Sequence, residues 1–269
     1  MSPKRLSKPD SVLHVKAALA DIHAEPLFKS ERVTQALWGT KVRIAGKNEG
    51  DYIKIKLPDN YSGYIHTAHL SDEKLPKPNL KITAGFTPVF SSPHKNTRIV
   101  FGLHFNTELK LISAKGNRTE VLLNEDYRGW IPADSCTLVS GILASDQKMD
   151  EIIEKAKTFI GTPYAWGGIT PSGWDCSGFI QTIFKHYGIE FPRDTKDQLK
   201  KGRSVKYGNH RPGDLIFFNR HVGLLLGDNA MIHSSLQRGG VFVDNVAEDA
   251  DDFGRQLYNE IRAIKRISF

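Results

Sequence analysis

Residues 160–193 form the stretch on which the interpretation of the whole chain depends, and they read IGTPYAWGGITPSGWDCSGFIQTIFKHYGIEFPR. A loop rich in glycine, tryptophan and proline leads to Cys176, one of only two cysteines. The run that follows has apolar residues at helical spacing and ends at Gly188. The stretch therefore predicts a loop that places a cysteine at the N-terminus of a helix, where a reactive thiol is expected.

The sequence around this stretch predicts a domain of helices and antiparallel strands at residues 146–269. A helical stripe in MDEIIEKAKTFIG precedes the cysteine. Apolar runs typical of strands follow it: DLIFF (214–218), HVGLLLG (221–227), AMIHSS (230–235), GGVFVDNV (239–246) and IRAIKRISF (261–269). Helices followed by several antiparallel strands indicate an α+β fold.

The N-terminal half shows an internal duplication. Gly63-Tyr64-Ile65 aligns with Gly129-Trp130-Ile131, and Val42 aligns with Leu109, at a spacing of 66 or 67 residues. Both copies contain short runs of alternating apolar residues separated by turn residues, which predict antiparallel strands. We therefore expect two small β-barrels, at residues 12–72 and 80–140, joined by a proline-containing linker.

Composition restricts the possible partners of the chain. It has 269 residues, of which 39% are hydrophobic and 25% charged, and its formal net charge is +7. The basic residues are scattered, which favours a solvated surface over a nucleic-acid interface. No apolar run is long enough to cross a membrane, and the N-terminal residues do not resemble a secretory signal. These patterns predict a cytoplasmic protein that binds neither nucleic acid nor membrane, with export by a route that leaves no signal still open. We also expect a monomer.

The two cysteines, Cys136 and Cys176, form neither a disulfide framework nor a zinc-binding pattern, so we expect no metal and no cofactor. Free cysteines are usually small buried hydrophobic residues, which is the simplest interpretation of Cys136. A disulfide between Cys136 and Cys176 is conceivable, but the lack of a secretory signal disfavours it.

The position of Cys176 at the start of a helix predicts a nucleophile. Backbone N–H groups and the helix dipole at that end favour the thiolate, and so predict a lowered pKa. A thiol nucleophile needs a base, and His221 is the best candidate because it opens a strand. His233, on the next strand, is placed to orient the ring of His221 through a hydrogen bond.

The hairpin between the two histidines raises a geometric problem. If the turn lies at Asp228-Asn229, regular pairing places Leu224 opposite His233, and the two histidine rings do not meet. A bulge, for example at Gly223, or a strong local twist is needed to bring them together.

Five segments of the C-terminal half closely resemble the NlpC-type cysteine peptidases, papain-like enzymes that cut peptidoglycan stem peptides. The segments are PYAWGG, DCSGFIQTIF, FPRDTKDQ, RPGDLIFF and HVGLLLGDNAMIHSS. The resemblance implies that Cys176 is the nucleophile, His221 the base and His233 the residue that orients it. It also implies that Tyr164 lines the site and helps the Cys176 backbone N–H to stabilise the oxyanion.

The order of domains is similar to that of γ-D-glutamyl-L-diamino acid endopeptidases, and the two predicted barrels resemble bacterial SH3-like domains. Residues 30–35, SERVTQ, match the family's Ser-Glu-x-x-Thr-Gln motif. The resemblance implies that Glu31, helped by Asp175, pairs with the free ammonium of an N-terminal L-Ala, and that Tyr64 and Ser177 complete the pocket. Carboxylates suit this task because a buried ammonium needs anionic acceptors.

The resemblance thus predicts a peptidase acting on peptidoglycan-derived peptides, at the bond between γ-D-Glu and a diamino acid. Two other classes stay open. Relatives of the catalytic fold transfer acyl groups or hydrolyse other amides, and paired barrels with positive charge would also suit a non-enzymatic protein that binds the cell wall.

Overall fold

The structure is a computed structural model that describes residues 10–94, 97–139 and 145–268, except for the side chains of residues 145–147. The chain divides into two compact units, residues 1–141 and residues 142–269. Each unit is described by itself. The separate domain boundaries expected within the first unit, 12–72 and 80–140, stay predictions.

Two seven-stranded antiparallel sheets make up the described part of the first unit. The N-terminal sheet has strands β1 (Val12–Val15), β2 (Leu19–His23), β3 (Arg32–Leu37), β4 (Lys41–Glu49), β5 (Tyr52–Lys56), β6 (Ser62–His66) and β7 (Leu70–Ser71). The second sheet has strands β8 (Leu80–Ile82), β9 (Phe86–Phe90), β10 (Ile99–His104), β11 (Glu108–Lys115), β12 (Arg118–Leu122), β13 (Arg128–Pro132) and β14 (Cys136–Leu138).

The two sheets share one strand order. The N-terminal sheet runs β3-β2-β6-β5-β4-β1-β7, and the second runs β10-β9-β13-β12-β11-β8-β14. Single turns of 3₁₀ helix, Thr67–His69 and Ala133–Ser135, occupy equivalent positions before the last strand of each. The repetition that the sequence indicates is therefore a repetition of topology.

Neither sheet closes on itself by strand pairing. Among the described strands, no pairing joins β3 to β7 or β10 to β14. The last strands are short, with two residues in β7 and three in β14, so they offer few backbone groups to a further partner. The structure thus has open sheets where the sequence predicts closed barrels.

Alternation along the strands builds a separate hydrophobic core on each sheet. In β5, Ile53 and Ile55 are fully buried while the lysines between and after them are exposed. Side chains of successive residues in a strand point to opposite faces, and burying one branched aliphatic side chain contributes about 1.5–3 kcal/mol.

The repeated glycine of the Gly-aromatic-Ile segment allows neighbouring strands to approach closely. A Cβ at Gly63 would lie 2.5 Å from Ile22 Cγ2, and one at Gly129 would lie 2.2 Å from Val89 Cγ1. Any larger residue would push β6 away from β2, or β13 away from β9.

The described part of the second unit combines four helices with a six-stranded sheet. Its helices are α1 (Ser145–Lys157), α2 (Cys176–His186), α3 (Thr195–Gln198) and α4 (Asp252–Asn259). Strands β15 (Ile169–Thr170) and β16 (Gly173–Trp174) form a small hairpin. The antiparallel sheet has strands β17 (Arg203–Val205), β18 (Leu215–Phe217), β19 (Val222–Gly227), β20 (Ala230–Ser235), β21 (Gly240–Asn245) and β22 (Ala263–Arg266), in the order β17-β22-β18-β19-β20-β21.

Helix α2 lies at the centre of this unit. Its apolar residues, including Phe179, Ile180 and Ile183, are almost completely buried, and the helix packs on β19 and β20. Asp175 caps its N-terminus, because the carboxylate Oδ1 accepts a hydrogen bond from the backbone N–H of Gly178 at 2.6 Å. The sequence predicts this helix and the strands that follow it, and the first residue of α2 is Cys176.

None of the helices in the described ranges is long and apolar enough to cross a membrane.

Candidate active site

Cys176 is buried at the start of α2, against the segment that leads into β19. Its thiol donates to the backbone carbonyl of Arg220 at 3.8 Å, and its sulfur lies 3.9 Å from Thr195 Oγ1. Backbone N–H groups of Ser177 and Val222 donate to the sulfur. Arg220 has a φ of 60°, in the left-handed region that residues other than glycine rarely adopt. The residue between Arg220 and Val222 is His221, so the expected base is carried by the segment that contacts the thiol.

The resting thiol of Cys176 is held in its neutral form. Burial raises its pKa to about 11, and the negative charge of Asp175 acts in the same direction. Hydrogen bonds from Thr195 and from two backbone N–H groups lower the pKa but do not compensate. The lowered pKa that the sequence predicts is therefore wrong for the resting site, because desolvation outweighs the favourable end of the helix.

His221 and His233 meet through a direct hydrogen bond. Nε2 of His221 lies 2.6 Å from Nδ1 of His233, and the two rings are 4.9 Å apart at 69°. The sequence leaves open whether the two rings are in register. The contact between them shows that they are.

A bulge at Leu226 produces this register. Leu225 pairs with Met231 and Gly227 pairs with Ala230, which leaves Leu226 as an extra residue on β19. Leu224 then pairs with Ile232 rather than with His233. His233 comes to lie opposite Gly223, and His221 projects from the same face two residues away. The sequence correctly indicates that a bulge is needed. It suggests Gly223 as the position, whereas the bulge lies at Leu226, close to the turn.

Gly223 has a different role, because it leaves room for Met231 and, less closely, for His233. A Cβ at this position would lie 2.2 Å from Met231 Sδ and 3.3 Å from His233 Cβ. A side chain at this position would therefore displace Met231 and crowd the backbone end of His233.

His221 is neutral at ordinary pH. Burial, and then the neighbouring His233, lower its pKa to about 3. Together with the neutral Cys176, this gives a resting pair without charge. Such a pair can transfer the thiol proton to the imidazole when the sulfur attacks an electrophile.

The other ring nitrogen of His233 binds a carboxylate that the sequence interpretation missed. Nε2 of His233 lies 2.8 Å from Asp244 Oδ2, and both side chains are buried. Arg238 forms an ion pair with the same carboxylate. Burial alone would raise the pKa of Asp244, but hydrogen bonds from His233 and Arg238 outweigh it and lower the pKa. The only signal in the sequence is an acidic residue within the apolar strand GGVFVDNV.

Asp175 and Ser177 belong to a buried network centred on Arg193. The guanidinium of Arg193 forms an ion pair with both Asp175 oxygens and donates to Ser177 Oγ at 2.9 Å. Gln198 supports the same region by donating to the backbone carbonyl of Ser177 at 2.9 Å. Arg193 is a second residue that the sequence interpretation missed, although it lies in the quoted segment FPRDTKDQ. An ammonium group that bound Asp175 would share its carboxylate with Arg193.

Tyr164 is half-buried, and its backbone N–H donates to the Gly239 carbonyl at 2.8 Å. Burial raises the pKa of its hydroxyl strongly, and the nearby Cys176 and Asp175 add to the effect. The hydroxyl therefore stays protonated and can donate a hydrogen bond.

Glu31 and Tyr64 lie in the first unit. Glu31 precedes β3, and its carbonyl accepts a hydrogen bond from the Ala24 backbone at 2.9 Å. The hydroxyl of Tyr64 donates to Glu49 Oε1 at 3.1 Å. Their proposed role in binding an ammonium group stays a prediction.

Both cysteines are free thiols. Within residues 10–94, 97–139 and 145–268, no group of three or more His, Cys, Asp or Glu side chains is arranged to hold a metal ion.

Comparison with known families gives two matches. Residues 161–252 match the NlpC/P60 family, and residues 22–70 match the bacterial dipeptidyl-peptidase Sh3 domain. The first match contains Cys176, His221, His233 and Asp244.

Similar proteins and structures agree with these matches. A gamma-D-glutamyl-L-lysine dipeptidyl-peptidase from Bacillus subtilis is 33% identical over 224 residues, which cover 75% of this chain and 71% of the relative. A protein of the same name from Bacillus cereus is 31% identical over 226 residues, covering 75% of this chain and 66% of that relative. The crystal structure of an NlpC/P60 family protein from Bacillus cereus has the same fold, with a TM-score of 0.79 at 23% identity, covering 95% of this chain and 99% of that one.

Proposed function

The chain belongs to the NlpC/P60 family, and we propose that it is a cysteine endopeptidase acting on peptidoglycan stem peptides. The proposed cleavage site is the bond between γ-D-Glu and the diamino acid, in peptides whose N-terminal L-Ala is free. One observation carries the proposal: the buried thiol of Cys176 contacts the two residues that flank His221, whose ring is hydrogen-bonded to His233.

In the proposed reaction, His221 accepts the thiol proton as the sulfur attacks the carbonyl carbon of γ-D-Glu. The oxyanion is stabilised by the backbone N–H of Cys176 and the hydroxyl of Tyr164. His221 then gives its proton to the departing amine, and a thioester remains. Water attacks the thioester, with His221 as base, and the thiol is restored.

The neutral resting pair fits this sequence of steps. The raised pKa of Cys176 and the lowered pKa of His221 both disfavour charges before the substrate arrives. Charges then appear only during reaction, when a negative oxygen and the imidazolium form together. A site of this kind stabilises the transition state in preference to the resting state.

The preference for a free L-Ala rests on charge. The two relatives are named for a γ-D-glutamyl bond, and SERVTQ at residues 30–35 supplies Glu31. We propose, as the resemblance implies, that Glu31 selects for an ammonium group with help from Asp175, and that Tyr64 and Ser177 are polar partners. N-acetylation removes that charge and would leave the carboxylate without its counterion.

The experiment compares L-Ala-γ-D-Glu-diaminopimelate with its N-acetylated form, using mass spectrometry of the products. We expect release of diaminopimelate from the free peptide and at least about 10²-fold slower release from the acetylated one, as for loss of a charged hydrogen bond of roughly 3 kcal/mol. A Glu31→Gln variant should reduce the difference mainly by slowing the free peptide. Equal rates on both peptides would contradict the selectivity, and no cleavage of either would contradict the proposed reaction.

We also propose that the second sheet is a second SH3-like domain. Its strand order equals that of the N-terminal sheet, and residues 22–70 of the latter match the bacterial Sh3 family. Binding of the isolated residues 80–140 to murein, tested beside the full chain, would assign it a function of its own.

A further inference from the structure

The pair Asp244 and Arg238 lies on the side of the His233 ring opposite to His221. We propose that Asp244, held by Arg238, is a positioning residue that fixes the tautomers of both histidines and leaves Nδ1 of His221 as the base. This inference rests on the proposed function, because it assigns a role in the same reaction.

The hydrogen bonds determine the tautomers one after another. Asp244 is ionised, so its oxygens only accept hydrogen bonds. The 2.8 Å contact therefore requires a proton on Nε2 of His233. In the proposed arrangement Nδ1 of His233 accepts the 2.6 Å hydrogen bond, and His221 donates it from Nε2. Nδ1 of His221 is left with its lone pair, ready to accept the thiol proton.

Arg238 holds the carboxylate of Asp244 in place. Its guanidinium forms an ion pair with Asp244 through Oδ1, while Oδ2 accepts the hydrogen bond from Nε2 of His233. The ion pair therefore keeps the carboxylate in the orientation that the hydrogen bond to the ring requires.

Arg238 is itself held in place from two sides. Its guanidinium lies 4.4 Å above the centre of the Phe253 ring and 3.7 Å from Asp251, the residue that caps α4. The His233 ring contacts His221, Asp244 and the Phe253 ring. The carboxylate bound to this ring is thus one that an arginine pairs.

Strand pairing explains why Asp244 can reach the ring. His233 pairs with Phe242, and Asp244 is two residues further along β21, on the same face. His233 is completely buried and Asp244 is 7% exposed. In such a dry site a hydrogen bond is stronger and a misplaced proton is more costly than at the surface.

The test uses Asp244→Asn, which keeps the shape of the side chain. Arg238 would donate to the side-chain oxygen of the new asparagine. The asparagine NH₂ group would then donate to Nε2 of His233, and both histidine tautomers would be reversed. We expect kcat to fall by about 10²-fold or more while KM changes less than about threefold; the general precedent is the loss that follows a wrong histidine tautomer in a Ser-His-Asp triad.

Asp214→Asn is the matched control. Asp214 is also a buried aspartate of the second unit, paired with Arg266 at 2.6 Å. The same substitution there removes the same charge from a similar ion pair that includes no histidine. We expect thermal stability to fall in both variants but kcat to fall only in Asp244→Asn. Equal losses of kcat in the two variants would overturn the proposal.

A second measurement does not depend on any substrate. Nitrogen-15 NMR of the imidazoles should show both His221 and His233 protonated at Nε2 in the wild-type protein, and at Nδ1 in Asp244→Asn. Wild-type rings protonated at Nδ1 would overturn the inference, even if the variant does not fold. If the wild-type protein cleaves neither stem peptide while the tautomers are as expected, the proposed function fails and the positioning role of Asp244 stands.

Discussion

The surroundings of the two cysteines, Cys136 and Cys176, are alike in one respect and different in another. Both are free thiols whose pKa is raised by burial, and both sulfurs lie near a backbone carbonyl: that of Ala133 at 3.6 Å and that of Arg220 at 3.8 Å. Cys136 opens a strand and also contacts the Thr119 hydroxyl and the Pro132 carbonyl. These oxygens do not accept a proton at neutral pH.

Cys176 instead contacts the segment that carries His221. Burial raises the pKa of both thiols, so the resting pKa does not separate the proposed nucleophile from the other cysteine. The difference between the two sites is the neighbouring histidine pair, which in the proposed reaction supplies the base.

Removal of each thiol should produce the largest difference between the two regions. We expect Cys176→Ala to reduce hydrolysis of L-Ala-γ-D-Glu-diaminopimelate by at least about 10⁴-fold, because no other group can form the thioester. Cys136→Ala should keep activity within about twofold. Product formation is measured by mass spectrometry over several hours. Comparable turnover in the two variants would mean that Cys176 is not the nucleophile.

Loss of the ion pair beneath Cys176 should have the next largest effect. Arg193→Met leaves Asp175 buried without its counterion, so the free energy of unfolding of the second unit should fall by about 3–5 kcal/mol. Hydrogen exchange followed by mass spectrometry reports this for each unit separately.

The matched substitution lies in the sheet that contains Cys136. Arg128 forms a pair with Glu120 at 3.8 Å, and its side chain is 60% exposed. Arg128→Met should therefore change the stability of the first unit by no more than about 1 kcal/mol. A similar loss of unfolding free energy in both variants would mean that burial does not make the Asp175–Arg193 pair more important for stability than an exposed pair.

The smallest expected effect is on the rate of alkylation of Cys176, which should rise about tenfold per pH unit. Since the pKa of Cys176 is raised to about 11, the thiolate fraction is small at pH 7 and grows with pH up to that value. The rate of modification of Cys176 by iodoacetamide, measured on its tryptic peptide, should rise continuously from pH 7 to pH 10. A plateau already below pH 8 would instead indicate the lowered pKa that the helix N-terminus favours.

The sequence predicts well those features that depend on local pattern. Helix α2, the apolar strands after it and the position of Cys176 at a helix start follow from periodicity and turn residues. The repeated Gly-aromatic-Ile segment correctly indicates that the two sheets share a topology. Closure of a sheet depends on pairing between strands that are far apart in the sequence. The sequence predicts closed barrels, whereas the strand pairing leaves both sheets open.

The sequence fails where an outcome depends on register or on competing energies. A bulge at Leu226, one residue before a turn glycine, decides whether the histidines meet, and no residue type marks it. Asp244 and Arg193 become visible only when strands and loops are placed side by side. The pKa of Cys176 depends on burial and on Asp175, which exceed the effect of the helix end.

In each sheet of the first unit the first strand pairs with the last, which brings the two ends of the segment together. β1 pairs with β7, and β8 pairs with β14, so the chain enters and leaves each sheet on neighbouring strands, about 5 Å apart. A segment whose two ends meet can be copied or removed as a cassette, because the flanking chain needs only a short connector to close the gap. A sheet with this topology can therefore be repeated along a chain with short connectors, as the two sheets of the first unit are.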